Sequence, residues 1–201
     1  MFISREDLKL TTFTMAAASL LLVACTTVTT QGFRTNANSK IESSQTAIGA
    51  DFSKYDQLTT EGMGIFFPPD AEPSKTDQQR TRQIFRTAFL GELEGYSIVE
   101  SSGPTTLLVK ASLIDYRKSS SGDALLVRRD LRDIANPGSM IFLMELVDSE
   151  TGQILGRGAD STMVPSFATL ESTSTDWEAV ELAAKNWAVL FRQFLDEYLN
   201  K

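Results

Sequence analysis

The chain has 201 residues, enough for one domain with appended segments, and its composition of 42% hydrophobic and 22% charged residues is that of an ordinary globular protein. A formal net charge of −7 disfavours a nucleic-acid partner, because phosphate binding depends on neutralisation by lysine and arginine. The absence of histidine and the single cysteine remove the usual general base, the commonest zinc ligand and any internal disulfide. We therefore expect no cofactor, no metal site and no enzymatic activity.

The first 24 residues have the organisation of an export signal. Arg5 and Lys9 lie in a polar start, and an apolar run of residues 10–24 follows. This run is shorter than the roughly 20 residues that a membrane-spanning helix needs. The order of these regions and the small residue at the end predict a cleaved signal peptide over residues 1–24.

The sequence Leu22-Val23-Ala24-Cys25 ends this segment and contains the only cysteine. It resembles the lipobox of bacterial lipoproteins, in which a signal peptidase recognises the three residues before an acylated cysteine. A thiolate is a strong nucleophile for accepting an acyl-bearing group, and more than one acyl chain gives stable anchoring. The alternative is an ordinary buried cysteine near a helix end. We expect Cys25 to be the lipid attachment site, with the membrane as a partner through this anchor.

The residue after the cysteine bears on localisation. In lipoproteins of enterobacterial type an aspartate there retains the protein at the inner membrane, whereas this chain has Thr26. The resemblance therefore implies the outer membrane, with the protein on its periplasmic face. Residues 25–50 are rich in Thr, Ser, Asn, Gln and Gly and have no apolar period, which predicts a flexible tether. A periplasmic domain is expected over residues 51–201.

The first elements of that domain are a strand and a helix. Residues 57–67 are typical of a strand that ends at Pro68-Pro69. Pro73, Ser74 and Asp77 are helix-start signals. The following apolar stripe predicts a helix that ends near Gly95. The members of the stripe are Phe85, Phe89 and Leu93, with Ile84 and Ala88 beside them.

Four further strands are predicted. Residues 96–100 and 105–117 favour two strands around a Ser-Ser-Gly-Pro turn. Residues 139–149 and 153–163 indicate a hairpin joined through Glu150-Thr151-Gly152. Both faces of residues 139–149 are mostly apolar, so this strand should be central and covered on each side.

An aromatic amphipathic helix is predicted from Asp176 to the end of the chain. Such a stripe suits a membrane-lying or partner-binding helix, or a helix packed on a sheet. The opposite face, with Glu178, Glu181 and Lys185, lacks the basic character of a membrane binder, which favours the core. The stripe consists of Trp177, Val180, Ala184, Trp187, Phe191, Phe194 and Tyr198.

The order β-α-β-β-β-β-α predicts an α+β fold, with a mostly antiparallel sheet of about five strands and two helices packed on one face. Carboxylates do not form an evident acid–base pair. The turn at Asp148, Ser149 and Glu150 lacks the spacing of a calcium loop, and its residues are good turn formers. The loop of residues 118–138 contains Arg128, Arg129 and Arg132 and is either a partner-facing surface or a solvated segment with local ion pairs.

Three segments are similar to the bacterial lipoproteins grouped as domain of unknown function 3313: ADFSKYDQL, GYSIVESSGPTTLLVKASLIDYR and MELVDSETGQILGRG. The resemblance covers roughly residues 50–199, departs from the family after Tyr116, and implies a fold rather than an activity. It supplies no catalytic residues.

Three functions remain open. The first is a non-catalytic outer-membrane lipoprotein that acts as an accessory or binding module of an envelope complex, with an envelope protein as partner. The second is a carrier that holds lipid or glycan between helix and sheet, which an apolar cleft beside Trp177 and Trp187 would favour. The third, a cell-wall hydrolase, would need two carboxyl groups facing each other about 5–10 Å apart in a cleft.

Overall fold

A computed structural model of the chain describes residues 32–67, 73–115, 140–161 and 174–199. Both described helices pack on the same face of a single sheet, since the ring of Phe142 contacts aromatic rings from each of them. In chain order the elements are β1 (Phe33–Thr35), β2 (Ser43–Ala47), β3 (Gln57–Thr60), β4 (Gly64–Phe66), α1 (Lys75–Glu92), β5 (Ser97–Ile98), β6 (Thr106–Asp115), β7 (Met140–Asp148), β8 (Ile154–Asp160) and α2 (Trp177–Leu199).

The α+β class is as predicted, but the sheet is larger and mixed. Its eight described strands follow the order β1-β2-β8-β7-β6-β3-β5, and β4 also pairs with β6. The pairs from β1 through to β6 are antiparallel, whereas β3 and β4 run parallel to β6 and β5 runs parallel to β3. The prediction of about five mostly antiparallel strands in the order β-α-β-β-β-β-α was therefore wrong.

Two of the additional strands lie in the segment predicted as a tether. β1 and β2 occupy part of residues 25–50, and Ser44 and Gln45 of β2 are buried despite their polarity. Gln45 Oε1 accepts a hydrogen bond of 3.0 Å from Nε of the buried Arg157 in β8. The tether prediction fails here because a strand stabilised by polar contacts has no hydrophobic period to reveal it.

The predicted strand of residues 57–67 and the predicted pair around the Ser-Ser-Gly-Pro turn also differ from the structure. β3 and β4 are separate strands, with residues 61–63 between them. β5 and β6 are strands, but β3 lies between them in the sheet. A turn-like sequence between two strands predicts that those two strands pair with each other. Here each of them pairs instead with β3, which precedes α1, and no local sequence signal reports such a parallel pairing.

β7 is central, as predicted: all nine of its residues are buried. Met140, Phe142 and Met144 belong to the core under the helices. The intervening residues face the opposite side of the sheet, because side chains alternate along a strand. The predicted hairpin from β7 to β8 is also confirmed, and Gly152 in its turn has a φ of +71°, which suits glycine.

The predicted start and end of the first helix are confirmed. The Ser74 side chain accepts a hydrogen bond of 3.1 Å from the Asp77 amide at the start of α1. The helix ends at Glu92, and Gly95 follows with a φ of +88°. Asp176 caps α2 in the same way, with its Oδ1 atom 3.1 Å from the Ala179 amide nitrogen.

The aromatic stripe of α2 is core, as the sequence favoured. Val180, Ala184, Trp187, Phe191 and Phe194 are buried, while the end members Trp177 and Tyr198 are partly buried against them. The helix approaches β8 closely at its glycines. A Cβ atom on Gly158 would lie 3.2 Å from the Phe194 ring, so this glycine makes room for the helix.

Candidate functional site

A cavity of about 290 Å³ lies between α1 and the sheet, at the point where β3 and β4 separate. β3 pairs with β6 as far as Thr60 opposite Val109, and β4 resumes the pairing at Gly64 opposite Ser112. Residues 61–63 leave the sheet edge between these pairings and form one wall of the cavity. The break in the strand therefore produces the opening.

The inner part of the cavity is apolar. Two neighbouring helical turns contribute Phe85 and Phe89, and Phe191 reaches the same space from α2. β6 supplies Val109 and Ala111 beneath them. All five are hydrophobic, and four are buried while Ala111 is half-buried. We call these five residues the floor; such a surface provides favourable burial for an apolar group.

The outer part of the cavity is polar and exposed. From the strand side it includes Glu61 and Gly62, and from α1 it includes Arg82 and Arg86, all of them exposed. The remaining lining residues are Thr60, Met63, Gln79, Gln83, Leu90 and Leu93. We call the exposed charged part, Arg82 and Arg86, the arginine pair. An apolar floor with few polar groups at the entrance is the usual composition of a small-molecule site.

The arginine pair gives the entrance a positive character. Its members are four residues apart on α1, which makes them surface neighbours with Cβ atoms roughly 5–6 Å apart. Neither forms an ion pair with a carboxylate within the described ranges. Glu61, the acidic residue of the entrance, is occupied by Lys110 at 2.7 Å. The entrance therefore presents positive charge in an acidic protein.

The Asp148 carboxylate, which accepts five hydrogen bonds, lies at the end of β7 and outside the cavity lining. Its Oδ2 atom accepts from the Tyr55 hydroxyl at 2.6 Å and from the Lys54 ammonium at 2.9 Å. Oδ1 accepts from the amide of Glu150 and from both the amide and hydroxyl of Thr151. The Tyr55 hydroxyl above all, with Thr151 and Lys54, holds the pKa of Asp148 well below its usual range against the opposing effect of burial.

Asp148 therefore holds the hairpin turn to residues 54–55, which is a structural task. The same contact acts on its partner: burial, and then the bond to Asp148, raises the pKa of the Tyr55 hydroxyl. The spacing of Asp148, Ser149 and Glu150 does not predict a calcium site. In the residues that the structure describes, no group of three or more metal-ligating side chains is found.

A second polar cluster joins the two helices. Arg192 of α2 donates to the carbonyl oxygens of Glu92 and Glu94 at 3.0 and 2.9 Å, at the end of α1. Its Nε atom lies 2.9 Å from Asp196 Oδ1, which also accepts from the Tyr96 hydroxyl at 2.7 Å. Burial, reinforced by this bond, raises the pKa of Tyr96. Arg192 satisfies carbonyl groups that a helix end leaves without intrahelical partners.

An apolar cleft beside Trp177 and Trp187 would have favoured the carrier hypothesis, but the two tryptophans themselves do not line the cavity. Trp187 is fully buried and donates to Asp160 at 3.0 Å, while Trp177 lies under the guanidinium of Arg80 at 4.0 Å from its ring centroid. The cavity adjoins the same aromatic stripe further along, at Phe191. The two tryptophans serve packing.

The other predicted site residues lie outside the described residues. They are Leu22, Val23, Ala24 and Cys25 in the expected signal and anchor, and Arg128, Arg129 and Arg132 in the expected partner-facing loop. Their roles stay predictions. Neither of the described helices combines the length and the apolarity that crossing a bilayer requires.

Sequence reasoning missed the arginine pair, although a signal was present. Both arginines occur in the segment that contains the predicted stripe, one turn apart: Arg86 follows Phe85 directly, and Arg82 lies three residues before it. Opposite charges at this spacing stabilise a helix and like charges destabilise it. Two arginines at this spacing beside an aromatic stripe therefore indicate a role other than helix stability.

Comparison with known proteins gives distant structural similarities. A PelC dodecamer from Paraburkholderia phytofirmans is 11% identical, over 80% of this chain and 96% of that one, with a TM-score of 0.31. A point variant of that PelC dodecamer is 8% identical over 81% and 98%, with a TM-score of 0.34. A putative neuraminyllactose-binding hemagglutinin homolog from Helicobacter pylori is 11% identical over 74% and 87%, with a TM-score of 0.38. At these values the similarities carry no argument about assembly or ligand.

A search of curated protein sequences finds no match. The family described as protein of unknown function DUF3313, by contrast, matches residues 46–191, which is most of the chain and most of the described sheet and helices. The similarity seen in the three sequence segments is thereby confirmed. The chain belongs to the DUF3313 family.

Proposed function

We propose that this chain is a lipid-anchored lipoprotein of the outer membrane whose periplasmic domain is a non-catalytic binding module. The anchor is supported by the signal-like segment and by the order Leu22-Val23-Ala24-Cys25. The binding role is supported by one observation, the cavity with its apolar floor and exposed entrance. The proposal joins a means of attachment to a means of holding a ligand.

The chemistry of the cavity favours binding over catalysis. Glu61 is the one carboxylate among the described residues that line it, and this group is ion-paired with Lys110. A hydrolase with two carboxyl groups would require a second one facing Glu61 across the cleft. The other side chains at the entrance are arginines and glutamines, which donate hydrogen bonds but do not act as bases at neutral pH.

The lining of the cavity also distinguishes between the two ligands of the carrier hypothesis, a glycan and a lipid. A glycan needs many hydrogen-bonding partners, because each of its hydroxyl groups loses contacts to water on binding. The floor offers aromatic and aliphatic carbon instead. An apolar group therefore fits this site better than a sugar, and the carrier hypothesis narrows to ligands with a hydrocarbon part.

The anchor is tested by radiolabelled palmitate in cells that produce either the wild-type chain or Cys25→Ser. We expect labelling of the wild type and its loss in the variant, because the thiol is the acyl-accepting group. A Ser39→Ala variant, which leaves the cysteine intact, is the control and should label normally. Continued incorporation into Cys25→Ser would show that the anchor assignment is wrong.

The binding role is tested with the uncharged fluorophore N-phenyl-1-naphthylamine, whose emission rises in apolar surroundings. We expect saturable binding by the wild type and at least a tenfold weaker affinity in Ala111→Phe, because the added ring occupies the floor. Leu182→Ser removes an exposed apolar side chain on α2, away from the cavity, and should not change the affinity. Equal binding by all three proteins would contradict a role for the cavity.

A further inference from the structure

We propose that the cavity binds a single-chain anionic lipid, with the acyl chain on the apolar floor and the carboxylate or phosphate group against Arg82 and Arg86. This inference rests on the proposed binding function and specifies its ligand. It follows from three properties of the site: its size, its polarity gradient and the positive charge of the arginine pair.

The size of the cavity limits the ligand to one slender chain. Small-molecule sites commonly have volumes of roughly 300–1,000 Å³, and the value of about 290 Å³ lies just below that range. The floor is built from Phe85, Phe89 and Phe191 above the strand residues of β6. Side chains of this kind contact a hydrocarbon chain along its length without specifying a hydrogen-bond pattern. A lipid with two or more chains would leave hydrocarbon exposed to water.

The polarity of the site changes in one direction. The floor residues are buried or half-buried, whereas Arg82, Gln83 and Arg86 at the entrance are exposed. An amphipathic molecule satisfies both parts at once, because its chain leaves water while its head group stays hydrated. A purely apolar ligand would leave the basic entrance unused.

The charge at the entrance selects the sign of the head group. Arg82 and Arg86 repel each other at a spacing of one helical turn, and within the described part of the chain no carboxylate compensates them. An anion placed between them removes this repulsion. Guanidinium groups also match carboxylate and phosphate oxygens in a bidentate geometry. Glu61 pairs with Lys110 and with neither arginine, so the charges at the entrance sum to a positive value.

A cationic amphiphile would add to the repulsion, and an anion without a chain would leave the floor empty. An inorganic phosphate ion would meet only exposed arginine side chains, whose interactions are weakened by water and salt. The chain and the head group must therefore act together. This requirement defines the ligand class and gives the experiment its comparators.

The test measures displacement of the fluorescent fatty acid cis-parinarate from the full chain carrying Cys25→Ser, in which no covalent acyl chain competes. Dodecanoate and dodecyl phosphate are the anionic competitors. Dodecanol, dodecyltrimethylammonium and inorganic phosphate are the comparators. We expect both anions to displace the probe, and the three comparators to be at least tenfold weaker. The tighter of the two anions identifies the preferred head group.

Two variants with one matched control assign the contacts. Arg82→Gln/Arg86→Gln should weaken the anionic competitors at least tenfold without lowering the melting temperature, because the substitutions relieve a like-charge pair. Arg80→Gln removes a positive charge from the same helix outside the cavity lining and should change the affinity less than twofold. Shortening the competitor from twelve to ten carbons should weaken it roughly fifteenfold, at about fourfold per methylene.

The failures are distinguishable. If dodecanol competes as well as dodecanoate, and the double arginine variant binds normally, the anionic head group is wrong and binding of apolar ligands stands. If none of the twelve-carbon compounds displaces the probe from the wild-type site, the proposed binding function is itself wrong. Chain-length dependence uses no variant at the site, so a misfolded variant would not leave the question open.

Discussion

Replacing Asp148 by asparagine removes one negative charge from the contact between the β7–β8 hairpin and residues 54–55. The two side chains have nearly the same shape, so the perturbation acts through hydrogen bonding rather than volume. Both carboxylate oxygens are acceptors in the native structure, and together they receive five donors. An amide has a single acceptor oxygen, so one group of donors faces an NH2 group in either orientation of the side chain.

The magnitude follows from the group that is lost. In the better orientation the amide oxygen keeps the three turn contacts from Glu150 and Thr151. Its NH2 group then faces the Lys54 ammonium, which cannot accept a hydrogen bond, and the Tyr55 hydroxyl, which loses the carboxylate as its acceptor. Tyr55 is only 7% exposed, so water does not readily replace the carboxylate. Loss of a charge-assisted hydrogen bond by a buried donor costs about 2 kcal/mol. This lowers the melting temperature by about 4–8 °C for a domain of this size.

The assay is urea unfolding followed by far-UV circular dichroism at pH 7, with thermal unfolding as a second measurement. We expect a lower urea midpoint for Asp148→Asn at an unchanged slope, since the folded and unfolded surfaces are the same. Glu150→Gln is the matched control, because it neutralises an exposed carboxylate in the same turn and should stay within about 0.5 kcal/mol of wild type.

The pH dependence gives an independent arm. Since the folded-state pKa of Asp148 is below its ordinary value of roughly 4, its stabilisation is fully present above that value and is lost as the pH falls through the folded-state pKa. The free energy of unfolding of the wild type should therefore fall more between about pH 5 and pH 2 than that of Asp148→Asn. Parallel pH profiles, or an Asp148→Asn variant as stable as Glu150→Gln, would refute the assignment of Asp148 as the hairpin contact.

Two further stability predictions concern the packing of α2, with chemical denaturation as the measurement for both. Gly158→Val should lower the free energy of unfolding by about 1–3 kcal/mol, because its Cβ would lie 3.2 Å from the Phe194 ring. The control Gly62→Ala meets no atom within 4 Å and should leave the free energy of unfolding nearly unchanged. Equal effects of the two substitutions would contradict the close approach of α2 to β8. Arg192→Gln should cost about 1–2 kcal/mol through the carbonyl groups at the end of α1, and Lys185→Gln on the same helix is its control. Indistinguishable midpoints for this second pair would show that α1 does not depend on the contact.

The elements that could be predicted from the sequence are those whose residues carry a complete local signal. Three such signals are the aromatic period of α2, the Ser74 cap of α1 and the two apolar faces of β7. In each case the spacing of residues within one segment is enough to predict the element and the face that it buries. Physical chemistry explains their success: a helix or a central strand must bury a defined face, and the pattern of that face is written within one segment.

β1 and β2 lacked such a signal, because what stabilises them comes from elsewhere in the chain. Thr46 is satisfied by the Tyr198 hydroxyl at 2.9 Å, and Gln45 by Arg157. Polar residues with distant partners look identical to those of a solvated linker until the partners are known. The cavity is hidden for the same reason, since it exists only where the pairings of β3 and β4 with β6 leave a gap.

The position of β1 determines how many residues link Cys25 to the folded domain in the proposed anchored form. The predicted domain start at Asp51 would place 26 residue steps between Cys25 and the body, a contour of about 90 Å at the maximal extension per residue. Because β1 already begins at Phe33, eight residue steps remain, with a contour of about 26–29 Å. That is close to the thickness of the hydrocarbon layer itself. If Cys25 is acylated as proposed, a link of this length would keep the folded domain close to the membrane surface.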